Sequence, residues 1–379
     1  MIYLTYNDQP SGVYFSQVTD VCAFVNKRFN CNIRLVALIS IRGFLENRKS
    51  IKQNFPEAIV LPMFPKQKNW RRNKLLLKIL FLFIGKQSVW CRGIFATNLA
   101  LLLKKNNWTN RVVFDGRGAY DAEYNEYLNK ITSLSDSISD LERDAILLSD
   151  FRCAVSEKLV TYWHQKYNYV SKNHCVIPCT INSNESHYPS ENEIKSVRKE
   201  LGFANDDVVI VYSGSAADWQ SLQMVDDFLL LQMRSNTGIK FILLSNSPLE
   251  QLKMYKEFPN RIIQKWVKAH EVKKYLYASD YGMLIRENSV TNEVASPTKF
   301  AEYLHAGLKV LISENIGDFS AFTKKNNCGT IITDFEFGYN FTPLTYSQKA
   351  INFKLAQNHF TKNVFEQNYN TIVQLLKEK

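Results

Sequence analysis

The stretch that decides the fold runs from Tyr281 to Ile312 and reads YGMLIRENSVTNEVASPTKFAEYLHAGLKVLI. Tyr281–Ile285 is a short apolar run, the pattern of a strand covered on both faces in a parallel sheet. Arg286 follows at its carboxyl end. Ser296 and Pro297 then predict a helix start, with serine as N-cap and proline at the first helical position. Thr298 and Lys299 fall in that first turn. Ala306-Gly307 closes the helix, and Leu308–Ile312 reads as the next strand. Strand, loop, helix and strand in this order form a βαβ unit.

The same alternation extends in both directions. Upstream, β-rich runs at Ile2–Thr5, Ile33–Ile39, Ala58–Leu61, Ser88–Trp90, Arg111–Phe114 and Arg152–Val155 are separated by helical stretches at Val13–Phe29, Ile94–Lys105 and Asp121–Leu148. Asn182 to Glu193, NSNESHYPSENE, is almost devoid of apolar residues and reads as a linker. Beyond it, strands are predicted at Val208–Tyr212, Lys240–Leu244, Tyr281–Ile285, Lys309–Ile312 and Gly329–Ile332. Helices are predicted between them, including Ser221–Met233 and His270–Ala278. Ser347 to Lys379 reads as helical without a further strand. The expected architecture is α/β, with two doubly wound parallel-sheet domains at 1–182 and 194–346.

Composition agrees with two globular domains. The chain has 379 residues, 45% hydrophobic and 22% charged, with 47 Lys and Arg against 36 Asp and Glu, a net charge of +11. That balance excludes extensive disorder, and the positive excess favours an anionic partner without choosing one. Seven cysteines and no CxxC pair give no disulfide framework or zinc signature, which fits a reducing compartment. No secretory leader is expected, since Met1 leads straight into a strand. The most apolar run, Leu75 to Ile84, is too short to span a bilayer.

In open parallel sheets, ligands bind beyond the carboxyl ends of the strands. In the first half, Arg111–Phe114 is followed by Asp115-Gly116-Arg117-Gly118, and Ser88–Cys91 by Arg92-Gly93. Two strand ends thus present Arg-Gly, suited to a polar cleft; solvated arginines beside turn glycines are the plain alternative. Asn7 to Gly12, NDQPSG, joins the first strand to the first helix and reads equally as an anion cradle or an ordinary turn. In the second half, Ser213-Gly214-Ser215 is a small-residue turn without the lysine of a nucleoside triphosphatase loop. A positive helix end plus Lys299 suits a diphosphate. Glu302, three residues on, shares the helix face of Lys299; it suits the two hydroxyls of a ribose, or equally a surface ion pair.

Ser296 to Val310, SPTKFAEYLHAGLKV, resembles the nucleotide-sugar motif of GT-B glycosyltransferases, most closely the family 4-type enzymes of bacterial surface polysaccharide assembly. Weaker resemblance covers most of the chain: Phe114–Gly118, Ala154–Leu159, Val176–Pro178 and Val211–Ser215 each match a family element, in the family's order. The resemblance implies two Rossmann-like domains facing a central cleft, with a C-terminal helix of about 347–379 crossing back to the first. It implies that Glu302 holds the donor ribose and that Lys299 and Arg286 hold the diphosphate. Backbone N–H groups at Gly214-Ser215, and at Ser296 and Thr298 on either side of Pro297, assist. Arg117, with Gly118, would line the acceptor side, where Gly12, Arg92 and Asp115 also belong. The family's first acid, eight positions before Glu302, is Val294 here; Glu293 stands one residue away and becomes the catalytic candidate beside Arg117. The basic residues usual after the first strand of the second domain are replaced by Asp218 and Gln220.

The resemblance therefore implies retaining transfer of a sugar from a nucleoside diphosphate donor to a saccharide or lipid-linked acceptor. With no DxD element, no cofactor or metal is expected. Lys66 to Lys86, KQKNWRRNKLLLKILFLFIGK, surrounds an apolar block with cations and suits the cytoplasmic membrane face; an ordinary domain helix has the same pattern. Nucleic-acid binding is not expected, since no recognition motif is present. A nucleotide-sugar epimerase and a non-catalytic scaffold of the same shape are the alternative readings.

Overall fold

A computed structural model describes residues 1–64, 67–128, 137–182, 187–214, 221–246 and 248–378. The chain divides into two compact units. The first holds Met1–Asn182, Val294–Ser296 and Lys362–Lys379; the second holds Ser183–Glu293 and Pro297–Thr361.

The first unit is built on seven parallel strands: β1 (Ile2–Tyr6), β2 (Arg34–Ser40), β3 (Ile59–Met63), β4 (Gln87–Arg92), β5 (Thr109–Gly116), β6 (Phe151–Ala154) and β7 (His174–Val176). Their order is β3-β2-β1-β4-β5-β6-β7, so the order reverses between β1 and β4. Alternate residues of each strand feed separate cores on the two faces. Leu4, Val36, Val89 and Val112 pack on one side, and Tyr3, Leu35, Trp90 and Val113 on the other. This two-sided burial is why the strands read as unbroken apolar runs.

The second unit has six parallel strands: β8 (Val208–Ser213), β9 (Ile239–Leu244), β10 (Ile262–Lys265), β11 (Tyr281–Leu284), β12 (Lys309–Ser313) and β13 (Gly329–Ile332). Their order, β10-β9-β8-β11-β12-β13, reverses between β8 and β11.

Two strands escaped the sequence reading, β7 and β10. Both are edge strands whose residues are mostly half-buried or exposed. β7 is only three residues, His174-Cys175-Val176, and β10 ends in Gln264-Lys265, so neither makes an apolar run, whereas the edge strands β3 and β13 do. The expected Asp121–Leu148 helix is also corrected. A turn of helix at Tyr120–Glu123 runs into a wider turn at Tyr124–Leu128, and a separate helix spans Ile138–Leu148. Ser137 starts the latter, its Oγ accepting the Asp140 N–H at 3.4 Å.

The polar stretch read as linker contains a helix start. Ser190 and Glu193 form a capping box that opens the Glu191–Glu200 helix, with the Ser190 N–H donating to Glu193 at 2.7 Å. The S-x-x-E spacing is that of the motif. The C-terminal helical region divides. Tyr346–Phe360 stays with the second unit, where the Lys349 ammonium enters a buried cluster with Asp280 and Arg198. Glu366–Lys377 belongs to the first unit, placing Tyr369, Ile372, Val373 and Leu376 in its core.

Candidate functional site

In the first unit, the point where strand order reverses is occupied by charge. Asp115 near the end of β5 is almost fully buried and accepts from the Tyr3 hydroxyl at 2.6 Å. Arg117 lies 3.3 Å from one Asp115 oxygen, and Arg92 lies 3.7 Å from the other. Arg92 also stands 3.5 Å from Asp8, just after β1. Arg117 is held further by the Gln17 side-chain carbonyl at 3.4 Å and by Cys179 Sγ at 3.1 Å. Burial works against the Arg117 charge and is the largest single influence, but Asp115, Cys179, Tyr3 and Cys153 together outweigh it and hold the guanidinium pKa above its ordinary value. Burial also raises the Asp8 carboxyl, against the pull of Arg92. Two polar atoms here are buried and find no hydrogen-bond partner among the described residues, Asp8 Oδ2 and Arg92 Nη1.

They border a cavity of about 250 Å³ lined by Tyr6, Asn7, Asp8, Arg92, Gly93, Ile94, Phe95, Arg117 and Tyr120. Gly93 to Phe95 form the first turn of the Gly93–Lys105 helix, whose N–H groups add positive potential. Tyr120 is fixed from behind by buried Glu142, which accepts the N–H groups of Tyr120 and Asp121 at 2.9 and 3.1 Å. Sequence reading missed Asp8, Gln17, Tyr120 and Glu142. Asp8 sits in a loop and Tyr120 in a first turn, neither with a motif, Gln17 lies within the helical turn Phe15–Thr19, and Glu142 lies on a helix remote in sequence.

The structure brings Arg92, Asp115 and Arg117 together, but Gly12 and Gly118 are not among the residues lining the cavity. An added Cβ at either glycine meets nothing within 4 Å. The glycine that packing demands in this loop is Gly116, where a Cβ would lie 2.6 Å from Trp163.

In the second unit, the corresponding reversal lies between β8 and β11. Arg286 follows β11, half-buried, and is held at both ends. Its N–H donates to Ser313 Oγ at 2.8 Å, and its guanidinium donates to Asn292 Oδ1 at 3.2 Å. Asn292 is fully buried and is tied down by its own amide, which donates to the Glu287 carbonyl at 3.2 Å. At the end of β8, the Ser213 N–H donates to the Tyr303 hydroxyl at 3.0 Å. The Tyr303 ring lies against Gly282, where a Cβ would come within 2.3 Å of it. That close approach explains a glycine inside a buried strand. Gly214 follows, its N–H donating to the Leu244 carbonyl at 3.3 Å. Ser215, Asp218 and Gln220 lie outside the described residues.

The helix after β11 spans Thr298–His305, with Pro297 rather than Ser296 at the N-cap position. Ser296 does not cap it, because its Oγ accepts the Cys179 N–H at 2.9 Å. Lys299 and Glu302 pair at 2.6 Å, with side chains 28% and 34% exposed. Both remain reachable by a ligand. Glu293 ends a short Val290–Glu293 turn and is half-buried; the neighbouring Val294 is buried in the core of the first unit. His305 is buried against Phe353, with ring centres 4.8 Å apart.

The arrangement has solved counterparts. HepE from Anabaena in complex with UDP superimposes with a TM-score of 0.69 over 98% of this chain and 99% of its own, at 13% identity. A glycosyltransferase from Rickettsia africae gives 0.70 over 100% and 99%, at 13% identity. WaaG, a glycosyltransferase of lipopolysaccharide biosynthesis, gives 0.62 over 97% and 93%, at 11% identity. The fold is GT-B. No protein-family model and no curated protein sequence matches the chain. In GT-B terms the first unit is the N-terminal Rossmann-like domain with its returning C-terminal helix, and the second is the C-terminal Rossmann-like domain.

Proposed function

We propose that this chain is a retaining glycosyltransferase. It moves a sugar from a nucleoside diphosphate donor to a saccharide or lipid-linked saccharide acceptor, at the cytoplasmic face of a membrane and in the assembly of surface polysaccharide. The observation that carries the reading is the partly exposed Lys299–Glu302 pair on the helix that follows β11, beside the strand-order reversal marked by Arg286. HepE, which shares the fold, has been crystallised with UDP.

In this reading Glu302 accepts from the ribose hydroxyls, and Lys299 and Arg286 bind the diphosphate. The ligand must part the Lys299–Glu302 pair. Asn292 and Ser313 pre-orient Arg286, so little reorganisation is needed as charge develops on the leaving diphosphate. Backbone N–H groups at Ser215, Ser296 and Thr298 add to that stabilisation. As the bond from the anomeric carbon to the diphosphate oxygen breaks, the acceptor oxygen bonds to that carbon and passes its proton to the departing diphosphate oxygen, which has taken the electron pair of the broken bond. Glu293 and Arg117 are proposed to act at the reacting centre. Arg92, Asp115 and Asp8 orient the acceptor, with Gly12 and Gly118 in the same region. The absence of a DxD element in the sequence supports transfer without a metal.

Release of nucleoside diphosphate from a panel of nucleotide sugars, with and without saccharide acceptors, tests the proposal. Acceptor-dependent release that survives EDTA, giving a product of unchanged anomeric configuration by NMR, is expected. Conversion of the donor sugar without any acceptor would replace transfer with epimerisation.

A further inference from the structure

The Lys74–Ile84 helix of the first unit carries two apolar faces. One is inward, where Leu77 and Phe81 are buried in the core. The other is outward: Leu75, Ile79, Leu82 and Phe83 are 61%, 46%, 69% and 84% exposed. At 100° per residue these four fall on one stripe, opposite the buried pair. A helix that satisfies its fold with one face has no structural use for a second apolar stripe in water.

The charge around it is one-sided. From Ala58 to Phe114 there is no Asp or Glu, and there are eleven Lys and Arg. Those eleven equal the whole-chain net charge of +11, so the remainder of the chain is neutral. Within this segment Lys104 pairs with Asp150, and Arg92 faces the cavity described above. Arg71, Arg72 and Lys74 are exposed at the start of the helix, and Lys86 is exposed just beyond its end.

We infer that this outward face is a docking surface for an anionic phospholipid bilayer. The stripe enters the boundary between headgroups and acyl chains, and the flanking cations meet the lipid phosphates. The helix lies on the bilayer and does not cross it, since no helix among the described residues is long and apolar enough to do so. A second copy of the chain is the weaker occupant. A symmetric contact through this face would set the same cations against each other with no acid in the segment to offset them. The inference sharpens the membrane contact of the proposed function into one face and one lipid chemistry, and is tested separately from the donor site.

The test is co-sedimentation of the full chain with phosphatidylcholine vesicles and with mixed phosphatidylcholine–phosphatidylglycerol vesicles. Wild-type protein is expected to bind the anionic vesicles at least tenfold more tightly, and less as salt rises. L82S/F83S and, separately, R71E/R72E are expected to lose that preference while keeping the wild-type melting temperature and its shift by nucleoside diphosphate. Equal binding by wild type and both variants overturns the inference. So does a self-association of wild type, seen by sedimentation velocity, that L82S/F83S abolishes without any vesicle binding. Loss of the nucleotide shift in wild type would instead count against the donor site and leave the vesicle result standing.

Discussion

Each Rossmann-like unit buries one aspartate between two cations, and the two clusters differ in a way that separates a strut from a site. In the second unit Asp280 precedes β11, at the amino ends of the strands. It meets Arg198 at 3.1 Å and Lys349 at 3.2 Å, and its oxygens also accept the N–H groups of Val209 and Leu344 at 2.9 and 3.2 Å. Arg198 donates further to the carbonyls of Ala278, Ala204 and Asp207. Its side chain and those of Asp280 and Lys349 are at most 7% exposed. In the first unit Asp115 stands at the carboxyl ends of the strands. Its partners Arg92 and Arg117 are 12% and 15% exposed, two polar atoms nearby find no hydrogen-bond partner among the described residues, and a cavity adjoins them. The same chemistry is therefore saturated where it ties a C-terminal helix to its sheet. It is left open where a parallel sheet receives ligands.

The comparison breaks most visibly at Asp280. Removing the acid from a saturated buried cluster strands two cations, so Asp280→Ala should cost about 3–5 kcal/mol in chemical denaturation. Nucleoside diphosphate affinity of the folded fraction should be unchanged. An equal loss of affinity would make the cluster part of the site.

Lys362 shows what a buried cation costs without such an acid. Its ammonium donates to Asn182 Oδ1 at 3.0 Å, and burial pushes its pKa down to about 8, partly offset by Asp20. The folded pKa lies below the unfolded value of 10.5, so the charged form opposes folding. The cost, roughly 3 kcal/mol, is present in full below pH 8 and is relieved as pH rises from about 8 towards 10.5. Stability measured against pH should rise across that window in wild type. In Lys362→Met it should start higher at neutral pH and lose the rise.

Asn292→Ala should reduce nucleotide affinity roughly tenfold by freeing Arg286, measured by calorimetry. A strut role alone would lower melting temperature and leave affinity intact. The smallest stability effect is expected for Arg92→Gln, because its ion contacts with Asp8 and Asp115 are long, at 3.5 and 3.7 Å, and its Nη1 finds no hydrogen-bond partner among the described residues. Its acceptor-dependent transfer should nevertheless fall. A large loss of stability with normal transfer would make the first cluster a strut like the second.

Most of the fold was legible because buried parallel strands are continuous apolar runs that need neither pairing partners nor long-range contacts to be recognised. β7 and β10 were not, since His174-Cys175-Val176 and Ile262-Ile263-Gln264-Lys265 are too short or too polar to make such a run. The positions of Arg286 and Lys299 followed from local rules for strand ends and helix first turns, and that of Glu302 from its three-residue spacing from Lys299 on the same helix. What stayed hidden was everything fixed by distant partners. Asn292 holds Arg286 across a loop, Tyr303 reaches the end of β8 over Gly282, and Glu142 anchors Tyr120. Ser296 misled because its sequence context predicts a cap, whereas its hydroxyl is engaged by Cys179, more than a hundred residues away in the chain.

Nucleotide recognition is proposed for the second unit and not for the charged cavity of the first. Thermal stabilisation by UDP, GDP, ADP, CMP and dTDP tests this most directly, with wild type, Glu302→Ala and Arg92→Gln side by side, since a ligand that binds only the folded state raises the melting temperature. The account predicts a shift with one nucleoside diphosphate that Arg92→Gln retains and Glu302→Ala loses. A shift retained by Glu302→Ala, or lost in Arg92→Gln alone, would contradict it.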